Sequence, residues 1–187
     1  MTDTTDIARD VLLEAFGASA TPFVPVPFVD DWMFARLLRR IAGKVLARYG
    51  VDSPVLAKAI VDAYVKAGAS RLATSILVGA ARFVVRKVAV VLDVKKSHDV
   101  FGESIAFAIA LDVASERKWI HDDADALGGA MHRAVAASAS GALEGLVRAG
   151  REAFAAGGGP FAGALGDEVD KLREQLRQAL ELEMGRL

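Results

Sequence analysis

RLATSILVGAARFVVRKVAVVLDVKK, residues 71–96, is the stretch on which the fold turns. At about 100° per residue, Arg71, Ser75, Arg82, Arg86 and Asp93 fall on one narrow stripe, and nearly all the remaining circumference is apolar. A helix of that kind is enclosed by other helices or lies in a bilayer. Arg82, Arg86 and Lys87 interrupt the apolar run, which falls short of the roughly 20 uncharged residues of a membrane span. The stretch therefore predicts the central helix of an all-α bundle.

Immediately downstream, Ser97 or Asp99 is placed to cap a second helix, DVFGESIAFAIALDVASERKW. The two predict a hydrophobic hairpin, about 71–95 and 99–117, with KKSHD at its tip. Asp112 shares a side of the second helix with Phe101, Ile105 and Ala108, an apolar setting in which a carboxylate needs a partner. An antiparallel hairpin centred near Ser97 brings Asp112 level with Arg82, so Arg82 or Arg86 is the expected structural ion pair. A hydrophobic hairpin enclosed by amphipathic helices is similar in layout to the pore-forming domains of colicins, an architectural likeness with no shared motif.

Upstream of the hairpin, PVLAKAIVDAYVKAG opens with Ser53 as N-cap and Pro54 at the first helical position. It presents Leu56, Ala59, Ile60 and Ala63 inward and Lys58, Asp62 and Lys66 outward. The helix before it, DWMFARLLRRIAGKVLARYG, follows a cap at Asp30 or Asp31 and stops at Gly50. Its apolar face holds Phe34, Leu38, Ile41, Ala42, Val45 and Tyr49. The opposite face holds Arg36, Arg39, Arg40, Lys44 and Arg48 without an acid among them. A basic amphipathic helix with Trp32 and Phe34 at its start has the pattern of a membrane-surface helix, and equally that of a bundle helix facing acidic neighbours. Before it, TPFVPVPFV at 21–29 has three prolines, which predict an extended strap laid over apolar surface. Residues 3–16 predict a short acidic amphipathic helix.

On the C-terminal side, Asp122 or Asp123 starts a helix with Leu127, Ala130, Met131, Ala134 and Val135 in register. Leu143, Leu146, Val147 and Phe154 line another. GGGP at 157–160 is the clearest break. It divides a bundle at 1–156 from a hinge and amphipathic terminal helix at 157–187. Leu165, Val169, Leu172, Leu176 and Ala179 give that helix a seam, to be covered by the bundle or, as a short coiled-coil arm, by a second chain. The expected architecture is a single bundle of seven or eight helices.

The 187-residue chain is large enough for a substantial core, and 53% of it is hydrophobic, much of that alanine. It has no cysteine, which excludes disulfides, thiol catalysis and cysteine-based zinc sites. The beginning lacks a basic-then-apolar leader pattern, so the expected location is cytoplasmic, at most peripheral on the inner face of a membrane. A net charge of −1 conceals a gradient. Residues 1–31 hold one basic and six acidic side chains, residues 32–96 thirteen and three, and residues 97–187 nine and fifteen. Segregation of that kind points to an anionic partner for the middle segment or to neutralisation within the bundle.

Nothing assembles a catalytic constellation. HDDAD at 121–125, with His132 and His98-Asp99, has metal-ligand composition. Its spacing matches no metal motif, and aspartates there suit a helix N-terminus. GGGP lacks the Lys-Ser/Thr of a phosphate loop, and no GxSxG elbow is present. The basic segment has neither a helix-turn-helix pair nor aromatic interleaving, which weighs against nucleic acid. The expectation is a helical binding protein without cofactor and on balance without catalysis, with a metal-dependent or small-molecule enzyme in a bundle pocket as the last-ranked alternative. The binding protein attaches to an anionic membrane surface or an acidic protein through Arg36, Arg39, Arg40, Lys44 and Arg48, with self-assembly through residues 160–187 as the other route.

Overall fold

The structure is a computed structural model that describes residues 29–79, 89–121, 123–138 and 164–187. Every regular element among them is helical. α1 is Val29–Arg48, α2 Pro54–Gly79, α3 Ala89–Glu116, α4 Ala124–Ser138 and α5 Ala164–Met184, with a 3-10 turn at Trp119–His121. The predicted helices at 3–16 and around 143–154, the strap before Val29 and the GGGP hinge lie outside the described residues.

α3 is the enclosed element. From Ser104 to Ser115 all twelve residues are buried, so the helix is covered on every side for more than three turns. α1, α4 and α5 all pack against it, while α2 packs on α1 and α4. Ile105, Phe107, Ile109 and Leu111 meet Leu38, Ile41 and Leu46 of α1, Met131 of α4 and Leu172 and Leu176 of α5 in one continuous apolar cluster. The α2–α4 crossing is tight. A Cβ on Gly128 would lie 2.6 Å from Ala63 Cβ and 2.6 Å from the Ile60 carbonyl oxygen, so only glycine fits there.

Local sequence accounts for the ends. Ser53 accepts from the Leu56 amide through its hydroxyl at 3.2 Å, directly ahead of Pro54. α1 closes in a Schellman arrangement: Gly50 has φ 74°, its amide donates to the Ala47 carbonyl, and the Val51 amide donates to that of Leu46. Asp123 is the cap of α4, accepting from the amides of Asp125 at 2.8 Å and Ala126 at 3.3 Å.

Three expectations need correction. Helix 54–68 and the start of the predicted central helix are one continuous helix through Gly68, because a lone glycine between alanine-rich flanks costs only about 1 kcal/mol. The predicted hairpin tip at Lys95–Asp99 is likewise helical, inside α3. Ser97 and Asp99 look like caps, but no glycine or proline accompanies them, and inside a helix each costs well under 1 kcal/mol. Third, α1 begins at Val29, which puts Asp30 and Asp31 in its first turn rather than ahead of it.

α5 folds back onto the bundle and packs against α3 and α4. Val169, Leu172, Leu176 and Leu180 are its buried residues, each 1% exposed or less. Leu180, not Ala179, completes the face. The spacing 3, 4, 4 follows a straight helix lying on a groove, where a two-chain seam repeats every 3.5 residues.

Candidate functional site

α1 divides cleanly around its circumference. Leu38, Ile41, Ala42, Val45 and Leu46 are at most 1% exposed and face α2 and α3. On the other side Arg36, Arg40, Gly43, Lys44, Ala47 and Arg48 are all exposed. The four cations recur every fourth residue and so rise about 6 Å at each step, a row about 18 Å long. Arg36, Lys44 and Arg48 each keep an interaction within the chain while standing exposed. The side chain of Trp32, expected at the edge of this face, lies outside the described residues.

Arg39 is set apart from the other four. Its Nη2 donates to Asp62 Oδ1 at 2.6 Å across the α1–α2 contact, and its buried Nε has no hydrogen-bond partner. Lys58 Nζ donates to the other oxygen of Asp62 at 2.6 Å. Hydrogen bonds from Lys58 and Arg39 hold the Asp62 carboxyl below its ordinary range. Arg39 therefore ties α1 to α2, and the outward face consists of Arg36, Arg40, Lys44 and Arg48.

A second polar group joins α1, α3 and α5. Asp112 has a side chain only 2% exposed. Its Oδ1 accepts from the Tyr49 hydroxyl at 2.6 Å, and its Oδ2 accepts from Arg173 Nη1. Arg173 Nη2 donates to Glu116 Oε2 at 2.6 Å, so one guanidinium spans two carboxylates a helical turn apart. Burial, then the hydrogen bond to Asp112 and its charge, push the Tyr49 hydroxyl well above the usual tyrosine range. Burial pulls the Arg173 guanidinium down, but hydrogen bonds to Asp112 and the nearby carboxylates outweigh it and the net shift is upward. Arg82 and Arg86, the expected partners of Asp112, lie outside the described residues. Arg173 had a signal of its own, standing four residues after Val169 and three before Leu176, at the margin of the buried face of α5.

A further interior polar contact is made by Tyr64, whose hydroxyl lies 3.2 Å from Glu103 Oε1. Its ring meets Phe107 and His132 edge-on, at centroid distances of 4.9 and 5.2 Å. Among the described residues no group of three or more His, Cys, Asp or Glu side chains is placed to hold a metal ion. Asp123 of the HDDAD segment serves as the helix cap. Nor is any helix among them long and apolar enough to cross a membrane.

Set against protein-family models, curated proteins and solved structures, the chain shows no significant match to any of the three. The geometry of the chain itself is thus the ground for a functional reading.

Proposed function

We propose that this protein attaches peripherally to anionic membrane surfaces through the outward face of α1. One observation carries the reading: Arg36, Arg40, Lys44 and Arg48 are exposed together along one helix that is anchored by its opposite face in the core. Packing requires only the apolar face and gives no reason to leave the outer one without an acid. Like charges at i,i+4 cost a few tenths of a kcal/mol per pair, a cost that an anionic surface offsets. Each cation near an anionic leaflet contributes about 1 kcal/mol, so four give about 4 kcal/mol and roughly a thousandfold enrichment at the surface. Because α1 is held by its buried side, it docks as a rigid face and needs no insertion.

Changing Arg36, Arg40 and Lys44 together to Glu tests this. Sedimentation with phosphatidylserine-containing vesicles should disappear, while helicity and melting temperature stay those of wild type. A triple variant that unfolds would show instead that these side chains neutralise acids within the bundle.

A further inference from the structure

The outward face of α5 has the opposite sign to that of α1. Asp167, Asp170, Glu174 and Glu181 are all exposed and fall within an arc of about 60° on the helix. Arg177, at the flank of this stripe, bonds Glu174 and Glu181, and the hydrogen bond from Arg177 draws the Glu174 carboxyl down to about 2. Arg117 also pairs with Glu181 and the exposed Lys171 stands beside the stripe, yet four acids against these three cations leave it net negative. It extends about 21 Å, close to the 18 Å or so of the cationic row on α1.

The basic face is also shaped to take a helix. Gly43 and Ala47 lie along its middle, both exposed, and nothing lies within 4 Å of where a Cβ on Gly43 would be. A second helix can approach the α1 backbone there while the four cations reach around it. α1 and α5 each pack on α3, so their two outward faces are carried by the same bundle. With a net charge of −1, copies of the chain meet without long-range repulsion, so complementary patches act at short range.

We propose that the basic face of α1 also receives the acidic face of α5 from a second copy of this chain, so that self-association and attachment to an anionic surface compete for the same cations. The competition rests on the membrane reading given above; the pairing of copies does not. Exposed ion pairs are individually weak, which makes the association dilute-labile and salt-sensitive, and lets an anionic surface displace it.

The test uses the full chain in analytical ultracentrifugation, with two variants checked for wild-type melting: Arg40→Glu/Lys44→Glu, and Asp167→Lys/Asp170→Lys. At low salt the wild-type mass should rise with concentration, and the rise should vanish near 1 M salt, where the Debye length is about 3 Å. Each variant alone should stay monomeric. An equimolar mixture should associate again, because it pairs one intact basic face with one intact acidic face. With phosphatidylserine-containing vesicles the α5 variant should bind at least as well as wild type, and its advantage should grow with protein concentration. A wild type that is monomeric throughout at low salt, or an α5 variant that associates like wild type, overturns the proposal even if vesicles are bound. A wild type that associates by this pairing yet ignores vesicles overturns the membrane reading and leaves the pairing standing.

Discussion

Asp112 shows how much one side chain depends on its setting. It lies within the twelve buried residues of α3, and both carboxylate oxygens are taken, one by Tyr49 and one by Arg173. Asp112→Ala leaves the Arg173 charge half-buried without its main partner, a loss of roughly 3 kcal/mol at the lower end of the range for buried pairs. Asp62 is also doubly paired, but its side chain is 40% exposed, and Asp62→Ala should cost about 1 kcal/mol or less. Denaturant titration of the two variants reads the difference directly; equal midpoints would remove Asp112 from its proposed role. That Asp112 needed a cation was legible in the sequence from its place beside Ile105 and Ala108. That Arg173 is one such cation was not, because it stands 61 residues away and only the packing of α5 brings it there.

At the scale of elements, helices with one polar face could be read from the sequence, and boundaries along the long apolar stretch could not. The inward residues of α1 and α4 match their 3.6-residue periodicity, since a helix with one polar face leaves a single way to bury itself. α2 and α3 are apolar over most of their circumference, so periodicity says little about where they start and stop, and Gly68, Ser97 and Asp99 look like boundaries inside continuous helices. α5 is joined to the bundle by Leu172, Leu176 and Leu180, and by Arg173–Asp112, Arg117–Glu181 and Arg133–Glu183 across to α3, its following turn and α4. Removing residues 164–187 uncovers the α3–α4 groove and strands Asp112. The truncated chain should therefore lose its cooperative melting transition and bind a hydrophobic dye. A truncated chain that melts as sharply as the full one would make α5 an appendage.

For the whole molecule, ionisable groups set a pH window of stability. Tyr49 and Tyr64 are the only two tyrosines, and both are held above their ordinary range: Tyr49 by burial and Asp112, Tyr64 by burial and Glu103. A folded-state pKa above the unfolded value of about 10 gives stability that is complete below pH 10 or so and is lost as pH rises beyond it. Tyrosinate absorbance should consequently appear together with loss of helicity, and an early ionisation of one tyrosine in folded protein would contradict the arrangement at Asp112 or Glu103. On the acid side Asp62, Glu174 and Glu183 are held low by their cationic neighbours. Their contribution is present above about pH 4 and lost as pH falls through the folded values, toward about 2 for Glu174. Melting temperature should thus be flat through neutrality and fall at both extremes.

The charge gradient along the chain was legible from composition, and the exposed row Arg36, Arg40, Lys44 and Arg48 gives it a place on the molecule. The departure of Arg39 from that row required the α1–α2 packing that sets Asp62 beside it. The measurement that bears most directly on the role of this face is vesicle co-sedimentation of the wild-type chain, with and without phosphatidylserine, across ionic strength. Binding should require the anionic lipid, be strongest near 0.01 M salt, where the Debye length is about 30 Å, and fade by about 1 M. Equal binding to neutral vesicles, or none to anionic vesicles at the lowest salt, would contradict it.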